Sequence, residues 1–136
     1  MRKSKIAALA ALILCAVVAP SLPATAKSLV SLMSADAGKG RPSGCPNAWC
    51  ACYLEHTLKR AGLPTLGSNA ARDFAKYGKR AKPGQVGAIM VMPHHVGVVA
   101  GKCPDGRIKL VSGNHGHKVG TGCYAAGKAI AWRVPA

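Results

Sequence analysis

Three residues stand in an order that is typical of nucleophilic catalysis by a thiol: Cys50, His95 and Asn114. Cys50 follows Asn47, a favoured helix N-cap, and is therefore expected as the third residue of a helix, where the helix dipole lowers the pKa of a thiol. A thiol nucleophile needs a base nearby, and His95 opens a predicted strand just after a turn. Asn114 begins the loop after the next strand, where strand pairing would place it beside His95 to orient the ring. This set of residues would attack an amide or ester carbonyl.

The other histidines are weaker candidates for the base. His56 lies on the same helix as Cys50, six residues on, and therefore points about 240° away around the helix axis. His94 and His95 open the same strand, so their side chains point to opposite faces and only one can face Cys50. Gly97 and Val99 share the face of His95, and Gly97 would leave room there for the Cys50 helix or for substrate, which favours His95. The remaining two histidines lie in a polar loop: His115 and His117.

The elements that must position these residues can be read along the chain. Apolar residues at helical spacing predict a helix over Ala48–Ala61 that Gly62 ends, and a shorter helix over Asn69–Tyr77 that Ser68 caps. A short helix over Leu29–Met33 is also expected. Strands are predicted over Val86–Met92, His95–Ala100, Arg107–Ser112 and Ala129–Val134, with a loop over Gly113–Gly122. Helices followed by an antiparallel meander predict an α+β domain with its helices on one face of the sheet.

The first residues predict export. Basic residues precede an apolar run from Ile6 to Ala19, and Ala24-Thr25-Ala26 supplies the small-x-small pattern of a cleavage site. The apolar run is too short to span a bilayer, so a membrane anchor is the weaker interpretation. The expected organisation is a signal peptide over 1–26, a linker-like N-terminal segment over 27–44, and one domain over 45–136. Secretion or a periplasmic location follows, with no transmembrane segment after cleavage.

The cysteine count fits an oxidising compartment, because a small domain benefits from disulfides. Five cysteines would remain after cleavage: Cys45, Cys50, Cys52, Cys103 and Cys123. They cannot all pair within one chain, so one thiol is left over, which either pairs between chains or is free and reactive. If Cys50 is the free nucleophile, three pairings of the other four are possible. Cys103–Cys123 is favoured because both flank the third strand and its following loop, which leaves Cys45–Cys52.

The charge of the chain indicates its partner. There are 19 Lys and Arg residues against four Asp and Glu, a formal net charge of +15. Such a field attracts anionic envelope polymers. Nucleic acid is not expected, because there is no basic helix with base-reading residues and aromatic residues are few. A solvated basic surface without a specific partner is the plainer alternative, and a monomer is expected.

Three segments carry a resemblance to a known family: NAWCACYLEHTLKRAGLP around Cys50, PGQVGAIMVMPHHVGVVAG with His95, and KLVSGNHG with Asn114. In this order and spacing, from about Asn47 to Pro135, they resemble the CHAP family of cysteine, histidine-dependent amidohydrolases and peptidases, within the papain-like and NlpC-like cell-wall hydrolases. The resemblance implies a papain-like fold, in which the Cys-bearing helix packs on a small antiparallel sheet. It also implies catalysis by Cys50, His95 and Asn114 without a cofactor, and a peptidoglycan amide bond as substrate.

The chain departs from the family pattern at two positions. Ser112 stands where many members have an acidic residue, so Asn114 is expected to orient His95 unaided, and Ala88 replaces a usual Asp. Two alternatives remain open. One is a metal site built from the many cysteines and histidines, although no pair has the spacing of common structural zinc sites. The other is a catalytically inactive, disulfide-stapled basic module that binds cell wall.

Overall fold

The computed structural model describes residues 24–136 and three isolated positions, Ala11, Ile13 and Ala16. Most of the predicted signal peptide over 1–26 therefore lies outside the described residues. The first helix, α1 (Ala24–Ala35), begins inside that segment and contains the predicted helical stretch Leu29–Met33. Within the described part of the chain, no helix is long and apolar enough to cross a membrane.

The second helix, α2 (Cys50–Arg60), is the predicted long helix, shortened at both ends. Leu54 and Leu58 are fully buried on its inner face. Gly62 ends the helix as expected: its backbone has φ 70°, and the next amide, of Leu63, donates to the carbonyl of Leu58 at 2.9 Å. The predicted helix over Asn69–Tyr77 is a 3₁₀ helix over Ala71–Lys76.

Six strands form one antiparallel sheet in the order β1-β6-β2-β3-β4-β5. Their bounds are Lys79–Arg80 for β1, Ile89–Val91 for β2, Val96–Lys102 for β3, Ile108–His115 for β4, Lys118–Tyr124 for β5 and Ala131–Val134 for β6. Both α-helices and the 3₁₀ helix pack with buried strand residues into one hydrophobic core. The predicted α+β class is confirmed.

The predicted loop over Gly113–Gly122 is wrong. This segment completes β4 and forms β5, and the two strands pair as a hairpin. The pairing register shifts between Ser112 and His115, and Asn114 has φ 53°. The regular alternation of side chains between the two faces of the sheet, from which a strand is predicted, is therefore interrupted in this segment. Glycines and polar residues on an edge strand have the composition of a loop, which explains the error.

Both predicted disulfides are present, Cys45–Cys52 and Cys103–Cys123, and Cys50 is the free cysteine of the described residues. The first bond ties the loop before α2 to the first turn of that helix. The second joins the β3–β4 connection to β5. Together they fix the segment that carries Cys50 and the far end of the sheet.

Close packing of α2 on the sheet depends on Gly113 in β4. A Cβ atom added at Gly113 would lie 2.7 Å from the Cβ of Tyr53 on α2, which is too close for any side chain to be accommodated without movement. The helix therefore lies directly on β4, and its N-terminal end is held against the start of β3 and the end of β4.

Candidate functional site

Cys50 is the first residue of α2, and its side chain is buried, with 5% of its surface exposed. The predicted N-cap is wrong. Trp49 occupies that position without a side-chain hydrogen bond, whereas the Asn47 side chain accepts a hydrogen bond from Arg41 at 2.5 Å. The Asn47 oxygen is therefore engaged outside the helix. The position of Cys50 in the first helical turn, which is what matters for its chemistry, is as predicted.

Burial raises the pKa of the Cys50 thiol above its ordinary value, and backbone hydrogen bonds from Val96, Ala51 and Cys50 itself offset only part of that effect. The expected lowering by the helix N-terminus is therefore wrong in direction. A buried thiolate loses its hydration, and dipoles from three amides do not replace it. Cys50 is thus a protonated thiol at neutral pH. Its bond to the Val96 amide places the sulfur beside the residue that follows His95.

His95 lies in the turn before β3, and its backbone carbonyl accepts from the amide of Met92 at 2.9 Å. Its ring is half-buried, and the Nε2 atom lies 2.8 Å from the Oγ of Ser112 on β4. Ser112 is completely buried. His94, the neighbouring residue, is exposed. The two histidines therefore differ in environment as the sequence predicted, and a serine holds the inner one.

Gly97 determines how closely β3 and β4 approach at this point. A Cβ atom there would lie 2.7 Å from the Val111 carbonyl oxygen and 2.8 Å from the Cβ of Ser112. The sequence suggested that Gly97 makes room for the Cys50 helix or for substrate. The space is instead filled by β4, and the result is that Ser112 reaches the ring of His95.

Burial, with a smaller contribution from the nearby His115, lowers the pKa of His95 to about 4. The imidazole is therefore neutral at neutral pH. The ring stacks on Tyr124 of β5, with ring centroids 5.7 Å apart and planes inclined by 19°. Cys50 is thus a neutral thiol and His95 a neutral base, and no carboxylate pairs with either among the described residues.

A chain of hydrogen-bonding groups continues from His95 into the sheet. The hydroxyl of Ser112 also interacts with the phenol of Tyr124, whose oxygen lies 3.2 Å from the Nδ1 atom of His115. In one of the two directions that satisfy every group, Nε2–H of His95 donates to Ser112, Ser112 donates to Tyr124, and Tyr124 donates to His115. In that arrangement the Nδ1 atom of His95 keeps a free lone pair.

Asn114 makes no hydrogen bond to His95 among the described residues. In the described hydrogen-bond network, its side-chain amide donates to the backbone carbonyl of Asn47 at 3.5 Å, and Ser112 occupies the Nε2 atom of His95. Asn114 therefore ties the β4–β5 turn to the loop before α2. The bulge after Ser112 separates Asn114 from the position that regular pairing would give it.

Sequence reasoning missed Ser112, Tyr124 and His115 as parts of this site. Ser112 carried a usable signal, because it directly follows the apolar pair Leu110-Val111 and stands at the family's acidic position. Tyr124 and His115 carried none while their segment was interpreted as a loop. Their contact with His95 depends on the β4–β5 hairpin and on Gly122, where a Cβ atom would lie 2.6 Å from the His115 ring.

One cluster in the described residues has the atoms of a metal site: Cys45, Cys52 and His56. The Nε2 atom of His56 lies 3.8 Å from the Sγ atom of Cys45. The two sulfurs are joined to each other, and metal binding by cysteine requires thiolates, so this cluster is a disulfide flanked by a histidine.

The sequence matches no protein-family model, and no curated protein is similar to it.

Proposed function

We propose that this chain is an exported cysteine hydrolase that cleaves an amide bond in the peptide of bacterial cell wall, with Cys50 as nucleophile and His95 as base. The observation that carries the proposal is the position of the free thiol. Cys50 opens a helix, its sulfur is bonded by the amide that follows His95, and His95 is itself held by Ser112. A thiol and an imidazole placed in this way form the minimal unit of cysteine hydrolases.

The proposed reaction starts from neutral groups, because burial raises the pKa of Cys50 and lowers that of His95. The Nδ1 atom of His95 removes the thiol proton as the sulfur attacks the substrate carbonyl. The C–N bond then breaks, His95 returns the proton to the departing amine, and a thioester remains on Cys50. Water, deprotonated by His95, hydrolyses the thioester and regenerates the thiol.

The oxyanion that forms in both steps needs donors that are already in place. The backbone amides of Cys50 and Ala51 already face the sulfur, at the N-terminal end of α2 where amides lack partners within the helix. Ser112 supports the imidazolium as an acceptor for Nε2–H. A hydroxyl stabilises that cation less than a carboxylate would, which agrees with the low pKa of His95.

The finer family assignment rests on order and architecture. A Cys-bearing helix precedes an antiparallel sheet that contributes the histidine, as in papain-like hydrolases of the CHAP type. Asn114 remains near the site through its bond to Asn47. Export is supported by two disulfides and by the basic and apolar first residues. Without Arg2, Lys3 and Lys5 of the predicted signal peptide the formal net charge is +12 (15 − 3), which favours an anionic polymer such as peptidoglycan as partner.

The test is digestion of purified peptidoglycan by the exported form of the protein, with Cys50→Ala as control. The wild type should release new amino groups, and Cys50→Ala should release none while still binding the wall. Amino groups on alanine would identify an amidase, and amino groups on a diamino acid an endopeptidase.

A specific observation favours a second function, a catalytically inactive module that binds cell wall. The thiol of Cys50 is protonated and buried, which slows any attack by sulfur. If the wild type and Cys50→Ala bind equally and neither releases amino groups from any wall preparation, this second function replaces the first.

A further inference from the structure

A cavity of about 430 Å³ lies at the N-terminal end of α2 and is used by none of the steps above. Its lining is formed by four residues: Arg41, Asn47, Trp49 and His117. Trp49 immediately precedes Cys50 and occupies the N-cap position of α2, so the cavity lies at the end of the helix that carries the thiol.

The polar wall of this cavity is held in place. Arg41 donates to the side-chain oxygen of Asn47 at 2.5 Å, and the backbone carbonyl of Asn47 accepts from Asn114 at 3.5 Å. The Cys45–Cys52 disulfide anchors the same loop to α2. One N–H group of the guanidinium is thus fixed, and its remaining donors stay available. A pre-positioned guanidinium is suited to planar, two-point recognition of an anion.

The positive charge of the cavity has no counter-charge in the protein. The chain has four carboxylates, all within the described residues, and none lines the cavity. Each is engaged elsewhere: Asp36 with Arg60 and Lys39, Glu55 with the backbone amides of Leu66 and Gly67, Asp73 with Ser68, and Asp105 with Arg107. An anion supplied by a ligand would therefore complete the site.

We propose that this cavity binds a free carboxylate of the substrate that Cys50 attacks. The inference rests on the proposed function in assuming that the bound carboxylate belongs to a substrate. The preference for a carboxylate is a property of the cavity alone. Arg41 forms the paired hydrogen bonds, His117 adds a second donor, and Trp49 forms the apolar wall. The substrate class is then an acidic peptide amide, and neutral or amidated peptides are poor substrates.

The test uses two reagents that alkylate thiols and do not depend on hydrolysis, iodoacetyl-glycine and iodoacetyl-glycinamide, which differ only in a carboxylate against a primary amide. Their rate constants with Cys50 are measured in the oxidised wild-type protein, in Arg41→Gln, and in Lys59→Gln as a control of equal charge change. Lys59 is exposed and lines a different cavity, of about 560 Å³, next to His56.

The wild type should prefer the carboxylate reagent, and Arg41→Gln should reduce that preference about two- to tenfold, as expected for one partly solvated ion pair. Lys59→Gln should leave the ratio of the two rate constants unchanged. Equal rates for both reagents in the wild type, or an equal loss in both variants, would overturn the proposal, because the effect would then come from the overall charge. A carboxylate preference in a protein that digests no peptidoglycan would contradict only the proposed hydrolysis.

Discussion

Helix α2 contacts two buried polar clusters, one of which is ionised and the other neutral. At the first, the carboxylate of Asp36 is 5% exposed and accepts hydrogen bonds from Tyr53 at 2.8 Å, Lys39 at 2.9 Å and Arg60 at 2.5 Å. Burial alone would raise the pKa of Asp36, but these donors, Arg60 foremost, lower it to about 2. This cluster is permanently ionised and fully paired.

The second cluster, of Cys50, His95 and Ser112, contains no ion pair. Burial raises the pKa of Cys50 and lowers that of His95, so both groups favour their neutral forms. The comparison separates two uses of buried polar groups. A charge that already has its partners stabilises the fold, whereas a neutral acid and base without a counter-ion are prepared to exchange a proton during a reaction.

The largest effect on activity is expected from removal of the base, His95. His95→Ala should lower kcat/KM for peptidoglycan cleavage by about 10²- to 10⁴-fold, because neither the thiol nor the leaving amine then has a proton partner. His94→Ala is the matched control, since His94 is exposed and adjacent. It should change the rate less than about twofold. Equal losses in both variants would show that the turn, and not the imidazole, matters.

A smaller effect is expected from the residue that holds the base. Ser112→Ala should lower kcat about tenfold to 100-fold, the value of one hydrogen bond to an imidazolium, with KM little changed. Asn114→Ala should lower it only a few-fold, since Asn114 donates to the Asn47 carbonyl. Circular dichroism and thermal melting of both variants separate positioning from folding. A larger loss for Asn114→Ala would restore the sequence-based assignment.

The ionised cluster should respond in stability and not in rate. Asp36→Ala leaves Tyr53 and Arg60 without their acceptor and should lower the free energy of unfolding by about 1–3 kcal/mol, measured with urea. Because the pKa of Asp36 in the fold, about 2, lies below its ordinary value of 3.8, its contribution is complete above pH 3.8 and disappears as the pH falls towards 2. The folded variant should keep wild-type kcat; a large loss would place Asp36 in the site.

How much of this could be predicted from the sequence depends on the range of the interaction. The disulfide pairing, the free thiol and the helix that carries Cys50 follow from local spacing and counting, and all three are confirmed. The contact between His95 and Ser112 links β3 and β4 through a glycine at position 97, and only the paired strands reveal it. The predicted direction of the shift in the pKa of Cys50 was also wrong, because burial, which raises this pKa, is a property of the assembled core.

The smallest expected effect concerns His115, the last member of the chain that starts at His95. Activity requires the neutral form of His95, so kcat/KM should stay constant down to about pH 5 and fall about tenfold per unit below pH 4, the lowered pKa of His95. The titratable groups around that ring are Cys50, Tyr124 and His115, and His115 is the one whose charge lowers the pKa of His95. His115→Gln removes that charge, so the pKa of His95 should rise and the acid limb of the profile should move to higher pH, by less than about one unit.

The rate at neutral pH should change little, because the glutamine oxygen can still accept from Tyr124. The measurement is the pH dependence of Cys50-dependent cleavage in the wild type and in His115→Gln, and a shift to lower pH would contradict the electrostatic link between the two histidines.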